Sequence, residues 1–221
     1  WSEPLGIFVV VSPTSTTGYT STDGSTWISH TSFPQARKVI WVNELSIFVA
    51  IGTNISYTSP DGINWTVTTG PGGGWASITY GNNTFVAVSY DATNRVMTSP
   101  DGITWTQQIL PVSANWRSVA YGNGTFVAVA FGSAIAATSP DGITWTIRTT
   151  PLDNLWRSGV YGNGLFVAVS GSKIITSPDG FTWTERTCPS ASGWTATCYG
   201  GGMFVAVGAM GSFNRIMTSG N

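Results

Sequence analysis

Charge is scarce in this sequence. Nine Lys and Arg, ten Asp and Glu and a single His are spread over 221 residues, and the formal net charge is −1. That balance supplies no basic field to hold nucleic acid or an anionic membrane surface. Cysteine is nearly absent, and Cys188 with Cys198 does not make a disulfide framework. No apolar run approaches the roughly 20 residues that span a bilayer as a helix. The chain opens at Trp1 with neither Met nor a charged leader, which reads as an excerpt or processed form of a longer protein. No segment holds a 3.6-residue apolar period beyond one turn, so a helical fold is excluded. What is present is Ser, Thr, Asn and Gly for the surface. Aromatic content of 13% with 27 glycines points to strands joined by tight turns rather than to disorder.

The strands repeat. The run "FVAV" and its variants start at Phe8, Phe48, Phe85, Phe126, Phe166 and Phe204, spaced by 40, 37, 41, 40 and 38 residues. The turn "DGxxW" starts at Asp23, Asp61, Asp101, Asp141 and Asp179, spaced by 38, 40, 40 and 38. One unit is therefore iterated, and its period is that of a solenoid or propeller element. The unit at residues 116–149 reads as four short strands: "WRSVAYG", "TFVAVA", "IAATS" and "TWTIRT". "GN" and "NG" between the first two tolerate positive φ, the strongest short hairpin signal. Between the last two, Pro140 presets φ, Asp141 bonds neighbouring amides and Gly142 takes the left-handed position.

Burial separates inner from outer strands. "FVAVA" is apolar on both faces and needs a sheet covered on both sides. "TWTIRT" alternates, as a half-exposed edge strand does. The pattern predicts an all-β, six-bladed β-propeller of four-stranded antiparallel blades, the last blade incomplete in this chain. It is one domain, 1–221, with units at roughly 1–35, 36–71, 72–111, 112–151, 152–189 and 190–221. Either the last blade has three strands, or residues outside this stretch or another chain supply the fourth.

The five "DGxxW" turns, Ser21 to Trp27, Ser59 to Trp65, Ser99 to Trp105, Ser139 to Trp145 and Ser177 to Trp183, resemble the Asp-box of the bacterial neuraminidase repeat. Here Asp and Gly are adjacent, which is similar to the short-turn, sialidase-like propeller repeats of bacterial and phage-borne proteins. The resemblance implies structural turns, a propeller fold and an extracellular or virion-associated setting. It is nearly silent on chemistry, since folds host unrelated functions.

Hydrolysis of a glycoside needs two carboxyl groups flanking one bond, and sialidases of the resembled family add an arginine triad. Outside the turns only Glu3, Glu44, Glu185, Asp91 and Asp153 remain. Glu3 and Glu44 fall on the side of the Asp-Gly turns, and Glu185 on an outer strand. Asp91 and Asp153 fall on the opposite rim in different blades. No enzymatic activity is expected. No cofactor is expected either, and the ring of turn aspartates is too dispersed to share a metal ion. His30 stands alone in a loop. Cys188 and Cys198 fall on strands three sheet spacings of about 4.8 Å apart, beyond the Cα separation of about 7 Å that a disulfide bridges, so both are expected as free thiols. The sequons at Asn54, Asn64, Asn82 and Asn123 arise readily from Asn-Gly turns.

Variation concentrates in the second-to-third-strand and fourth-to-first-strand loops, which share one rim, as in a scaffold carrying a recognition face. Just after the latter loops Trp75, Trp116, Trp156 and Trp194 recur, with Ala36 at the same place in the second unit, and Arg117 and Arg157 follow two of them. Two readings compete: packing between innermost strands, or a platform on which sugars stack while Arg bonds their hydroxyls. The expected ligand-binding set is Trp75, Trp116, Arg117, Trp156, Arg157 and Trp194, with Tyr90, Phe131 and Phe213 adding to the face or plugging the channel mouth. The functional expectation is a non-enzymatic, lectin-like module for glycans or glycoconjugates, the partner being neutral and rich in hydroxyls. The alternatives are a structural propeller that docks other protein subunits and a glycoside hydrolase using Asp91 or Asp153.

Overall fold

The computed structural model describes residues 1–91, 93–188, 193–209 and 216–219, with the backbone alone at 152–154. Phe213 and the side chain of Asp153 lie outside the described residues. Six antiparallel sheets follow one another along the chain. The first holds β1 (Phe8–Val10), β2 (Gly18–Ser21) and β3 (Ile28–His30), preceded by an isolated bridge between Ser2 and Ile7. The second holds β4 (Lys38–Val42), β5 (Ile47–Gly52), β6 (Ile55–Ser59) and β7 (Thr66–Thr68). The third holds β8 (Trp75–Gly81), β9 (Thr84–Ser89), β10 (Arg95–Ser99) and β11 (Thr106–Ile109). In the fourth, β12 (Asn115–Gly122) is followed by β13 (Thr125–Ser139) and β14 (Thr146–Leu155). The fifth holds β15 (Ser158–Gly162), β16 (Leu165–Val169), β17 (Ile174–Ser177) and β18 (Thr184–Arg186), and the sixth β19 (Trp194–Gly200), β20 (Met203–Gly208) and β21 (Ile216–Thr218). Each sheet is a propeller blade with strands in sequence order.

The fourth blade departs from the four-strand expectation in form. Its second and third strands are one fifteen-residue strand, because Phe131 pairs with both Asn115 and Leu155 and Ser133 pairs with Asn154. Pairing carries β14 past residue 151, into the span read as the fifth unit.

Local chemistry accounts for the turns. Asn123 and Asn163 have φ of 47° and 46°, and Gly124 and Gly164 follow at 72° and 76°. Two successive positive φ values give the turn whose twist matches the flanking strands. In the Asp-Gly turns the serine is a hub: the Ser139 hydroxyl donates to Asp141 Oδ1 (3.0 Å) and accepts the Gly142 amide (2.8 Å). Asp141 Oδ1 then accepts the Ile143 and Thr144 amides at 2.8 and 2.7 Å. The same bonds recur around Asp23, Asp61, Asp101 and Asp179, so the repeated aspartates satisfy their own turns.

These bonds depress the carboxyl pKa values. At Asp23 the Thr26 and Ser25 amides, with the Ser21 hydroxyl, hold it at about 2. At Asp61 burial pushes upward but is outweighed by the Asn64 amide and side chain, the Ile63 amide and the Ser59 hydroxyl, leaving it at about 2. A carboxyl that ionises more readily when folded adds stability above its unfolded pKa of about 3.9, and that stability is lost as pH falls through the folded value. The urea midpoint is therefore expected to hold steady from about pH 7 to about pH 5 and to drop steeply between about pH 4 and about pH 2. A midpoint unchanged across that acid window would show that the turn bonds do not favour the ionised form.

Two features join neighbouring blades. The turn tryptophan enters the junction with the preceding blade: Trp145 clusters with Val86, Val88 and Val96 of the third blade and Phe126 of its own. Trp183 does the same with Val127, Val129 and Ala136 of the fourth. Nearer the axis, the "YG" pairs of the third to sixth blades interlock. Tyr121 covers Gly81, Tyr161 covers Gly122 and Tyr199 covers Gly162, so closely that a Cβ on these glycines would stand 2.0 to 2.1 Å from a tyrosine ring atom. Glycine is required there by close approach, since only its lack of a side chain admits the ring. Gly200, in the last such pair, has nothing within 4 Å of that position. The first and sixth blades likewise leave Val10, Trp27, Ile28 and Val207 exposed, so among the described residues the six blades form an open arc.

Candidate functional site

The four tryptophans at the starts of the first strands are no sugar platform. Trp75, Trp116, Trp156 and Trp194 are 0 to 1% exposed, and this corrects the expectation that their rings face a ligand. Each fills the space between two blades, as Trp116 does beside Val88 and Leu110 of the third blade. Burial of so large an apolar area explains the choice of residue. Trp75 Nε1 donates to the Pro71 carbonyl at 3.1 Å and Trp194 Nε1 to Cys188 Sγ at 3.1 Å. Cys198 is a free thiol, as expected.

The residue that follows each of these tryptophans is placed differently. Register shifts between Trp75 and Ser77, Trp116 and Ser118, and Trp194 and Ala196 mark a bulged residue at Ala76, Arg117 and Thr195. A bulge bends the strand and re-aims the extra side chain. Arg37 and Arg157 hold the same position in the second and fifth blades, their amides donating to Ile51 and Val169, equivalent carbonyls on β5 and β16, at 2.8 and 3.0 Å.

These three arginines meet across four blades. The Arg37 guanidinium lies 4.3 Å from the Tyr90 ring centre, and that of Arg117 5.2 Å from Tyr90 and 5.2 Å from Phe131. Arg157 lies 5.0 Å from Phe131. The result is a ladder of alternating cations and aromatic rings, Arg37, Tyr90, Arg117, Phe131 and Arg157, each step within cation–π range. It sits where the variable loops converge: the Tyr90 amide donates to the Gly74 carbonyl, and Phe131 pairs with Leu155. Tyr90 and Phe131 thus alternate with the arginines at the convergence of the variable loops.

Electrostatically the ladder is short of negative charge. Among the described residues the ion pairs are Arg95 with Asp91 and Lys173 with Glu185, so no carboxylate pairs with the three arginines. Burial first, then the charges of Arg37 and Arg157, lowers the Arg117 pKa, with Tyr90 opposing. The Tyr90 pKa is lowered too, by the bond with Thr53 first and then by the Arg37 bond and charge, against upward pushes from burial and from the Asp91 carboxylate. Three buried polar atoms beside the ladder, Arg117 Nε, Asn115 Oδ1 and Ser133 Oγ, have no hydrogen-bond partner. Next to Arg37 a cavity of about 260 Å³ is lined by Gln35, Thr53 and Asn54 among others. Arg37 escaped the sequence reading because its unit has Ala36 in place of the tryptophan; alignment on that position would have found it.

Asp91 is consumed locally. It accepts from Arg95, Thr93, Ser89 and the Gly74 amide, which lower its pKa against the larger single influence of burial. Among the described residues no three His, Cys, Asp or Glu side chains are grouped to hold a metal ion, and no helix is long and apolar enough to cross a membrane.

Solved structures share the fold at low identity. A virginiamycin B lyase from Staphylococcus aureus, catalytically inactive and determined with quinupristin, superposes with TM-score 0.75 at 14% identity, over 90% of this chain and 75% of that one. YCF48 from Cyanidioschyzon merolae gives 0.70 at 14%, over 96% and 79%. BBS1N in complex with ARL6DN gives 0.66 at 11%, over 88% and 69%. These likenesses establish the propeller, a scaffold compatible with ligand or protein binding, and nothing of the chemistry. No curated protein matches the sequence. The profile of the DUF6242 beta propeller domain matches residues 72–199, more than half of the chain, and this protein belongs to that family.

Proposed function

We propose that the chain is a non-enzymatic recognition module whose variable-loop face binds an acidic glycan, with the anionic group held by Arg37, Arg117 and Arg157. One observation carries this reading: three guanidiniums are gathered across separate blades, and among the described residues none of them is in an ion pair with a carboxylate. Like charges held together are costly, and an incoming anion relieves that cost while gaining charge-assisted hydrogen bonds. Tyr90 and Phe131 supply ring surface for the apolar side of a sugar, and Gln35, Thr53 and Asn54 supply partners for its hydroxyls. The low overall charge favoured a neutral ligand on sequence grounds; the local cluster favours an acidic one. Action by binding rather than hydrolysis is supported by the engagement of Asp91 with Arg95, and by a Tyr90 hydroxyl bonded to Arg37 and Thr53 rather than to a carboxylate. The likeness of the turns to the Asp-box supports an extracellular or virion-associated setting. A second reading, a domain that docks other protein subunits, is favoured by the exposed Trp27 and Ile28 of the first blade.

A glycan array carrying sialylated, uronic and neutral glycans tests the proposal. Acidic glycans are expected to bind and neutral ones of the same backbone to bind about tenfold more weakly or worse. Binding should weaken with salt, and Arg117→Ala and Arg157→Ala should each lower affinity about tenfold or more without moving the urea midpoint. Equal binding of neutral glycans, or arginine variants that bind normally, would end the acidic-glycan reading. Release of free sugar would end the non-enzymatic one.

A further inference from the structure

The three guanidiniums of the loop face stand in series rather than around one point. Arg37 lies within cation–π range of Tyr90, Arg157 of Phe131, and Arg117, between them, of both. Their order follows from the repeat. Each occupies the position after the first-strand tryptophan, or after Ala36 in its place, in the second, fourth and fifth blades. The third blade has Ala76 at that position and contributes Tyr90, just past β9, instead. Equivalent positions on successive blades of a propeller fall along a curve around its mouth. Arg37 and Arg157 are exposed and Arg117 is partly buried, so the row can be reached along its length. A carboxylate has two oxygens, which one guanidinium grips through parallel bonds or two neighbours share. It cannot serve three cations that alternate with two aromatic rings.

Neutral hydrogen-bonding groups also recur along the row. At the Arg37 end, Gln35, Thr53, Asn54 and Tyr57 line the cavity of about 260 Å³. At the middle, Arg117 Nε, Asn115 Oδ1 and Ser133 Oγ are buried with no hydrogen-bond partner. Asn115 pairs with Phe131 across β12 and β13, which sets this second group beside the second ring of the ladder. A ligand small enough to sit in the cavity would leave the middle group unsatisfied, and one confined to the middle would leave Arg37 unpaired. Only an extended ligand meets both.

We propose that the ligand is an internal stretch of a linear acidic polysaccharide of the polyuronate kind, laid along the ladder so that separate carboxylates meet Arg37, Arg117 and Arg157. The inference rests on the acidic-glycan reading and sharpens it: the face reads a run of charges, not one terminal acid. Three weak contacts made by one molecule add through effective concentration. Each contact also releases counterions condensed on a charged polymer, a gain that a monosaccharide does not offer. A nucleic-acid strand presents serial anions too, but the protein's net charge of −1 supplies no field to gather so dense a polyanion.

The test titrates the purified 221-residue chain by calorimetry with galacturonic, mannuronic and sialic acid, each as the monosaccharide and as its linear dimer, trimer and hexamer. In at least one series affinity is expected to rise about tenfold or more from monosaccharide to hexamer. A hexamer of that series esterified at every carboxyl but one should bind about tenfold more weakly than the fully charged hexamer. Affinity of the charged hexamer should fall with salt at a log–log slope of about −2, from three contacts at about 0.7 each, and Arg157→Ala should make that slope shallower by about 0.7. A monosaccharide that binds as tightly as its hexamer in every series would overturn the polymer proposal while leaving the acidic-glycan reading intact. So would equal binding of the singly charged hexamer, or a salt slope that Arg157→Ala leaves unchanged. Absence of binding by every acid at every length would remove both readings. Oligothymidylate binding more tightly than the best hexamer at the same salt would overturn the proposal in favour of a nucleic-acid strand.

Discussion

Replacing Trp116 by alanine is expected to lower the unfolding free energy by about 3–5 kcal/mol, read as a fall in the urea midpoint at unchanged slope. The ring is fully buried between the third and fourth blades. Its loss removes apolar contacts from both blades at once and opens a cavity that two covered sheets cannot close. The indole nitrogen sharpens the test. Trp116 Nε1 is buried without a partner, whereas Trp75 Nε1 donates to Pro71. Phenylalanine retains most of the packing and deletes the N–H. Trp75→Phe therefore also leaves the Pro71 carbonyl without its donor, at about 1 kcal/mol, while Trp116→Phe carries no such penalty. If Trp116→Ala moved the midpoint no further than a surface substitution does, the inter-blade role of the ring would be refuted.

Gly122→Ala is expected to cost about 2–3 kcal/mol, and Gly200→Ala less than about 0.5 kcal/mol. Both glycines follow a tyrosine in first strands of equivalent blades, and in sequence they are interchangeable. In the fold, a Cβ on Gly122 would stand 2.0 Å from Tyr161 Cγ, while one on Gly200 meets nothing within 4 Å. Tyr161 has little room to yield, because its ring is held 4.7 Å from that of Phe166. The clash therefore passes into the seam between the fourth and fifth blades. Equal midpoints for the two variants would mean that the sixth blade is covered like the others, and the open arc would be wrong.

Much of the architecture was legible because it is local. An Asn-Gly pair sets positive φ, Ser139 and Asp141 tie a turn within three residues, and "FVAV" announces a strand covered on both faces wherever it occurs. The serial repetition of these signals fixed the number of blades, their strand order and which loops share a rim. The same local rules left Trp116 ambiguous, since an indole before a bulge is spelled alike whether it faces a neighbour or a ligand. They gave no hint that β13 would run unbroken through residues 125–139, because that depends on pairing with Asn115 and Leu155 on two other strands.

The sequence by itself determined the repeat, its turns and the division between a constant and a variable face, all consequences of interactions spanning a few residues. The tertiary structure alone decided what the variable face holds. Arg37 bonds Tyr90 from 53 positions away, and Arg157 joins them through Phe131. That meeting follows from the curvature of the arc, which brings the same position of successive blades to one mouth. Curvature also decided that one "YG" pair is a filled socket and another an open one. It is set by how closely blade packs on blade, a property of two surfaces together that no single stretch of chain encodes.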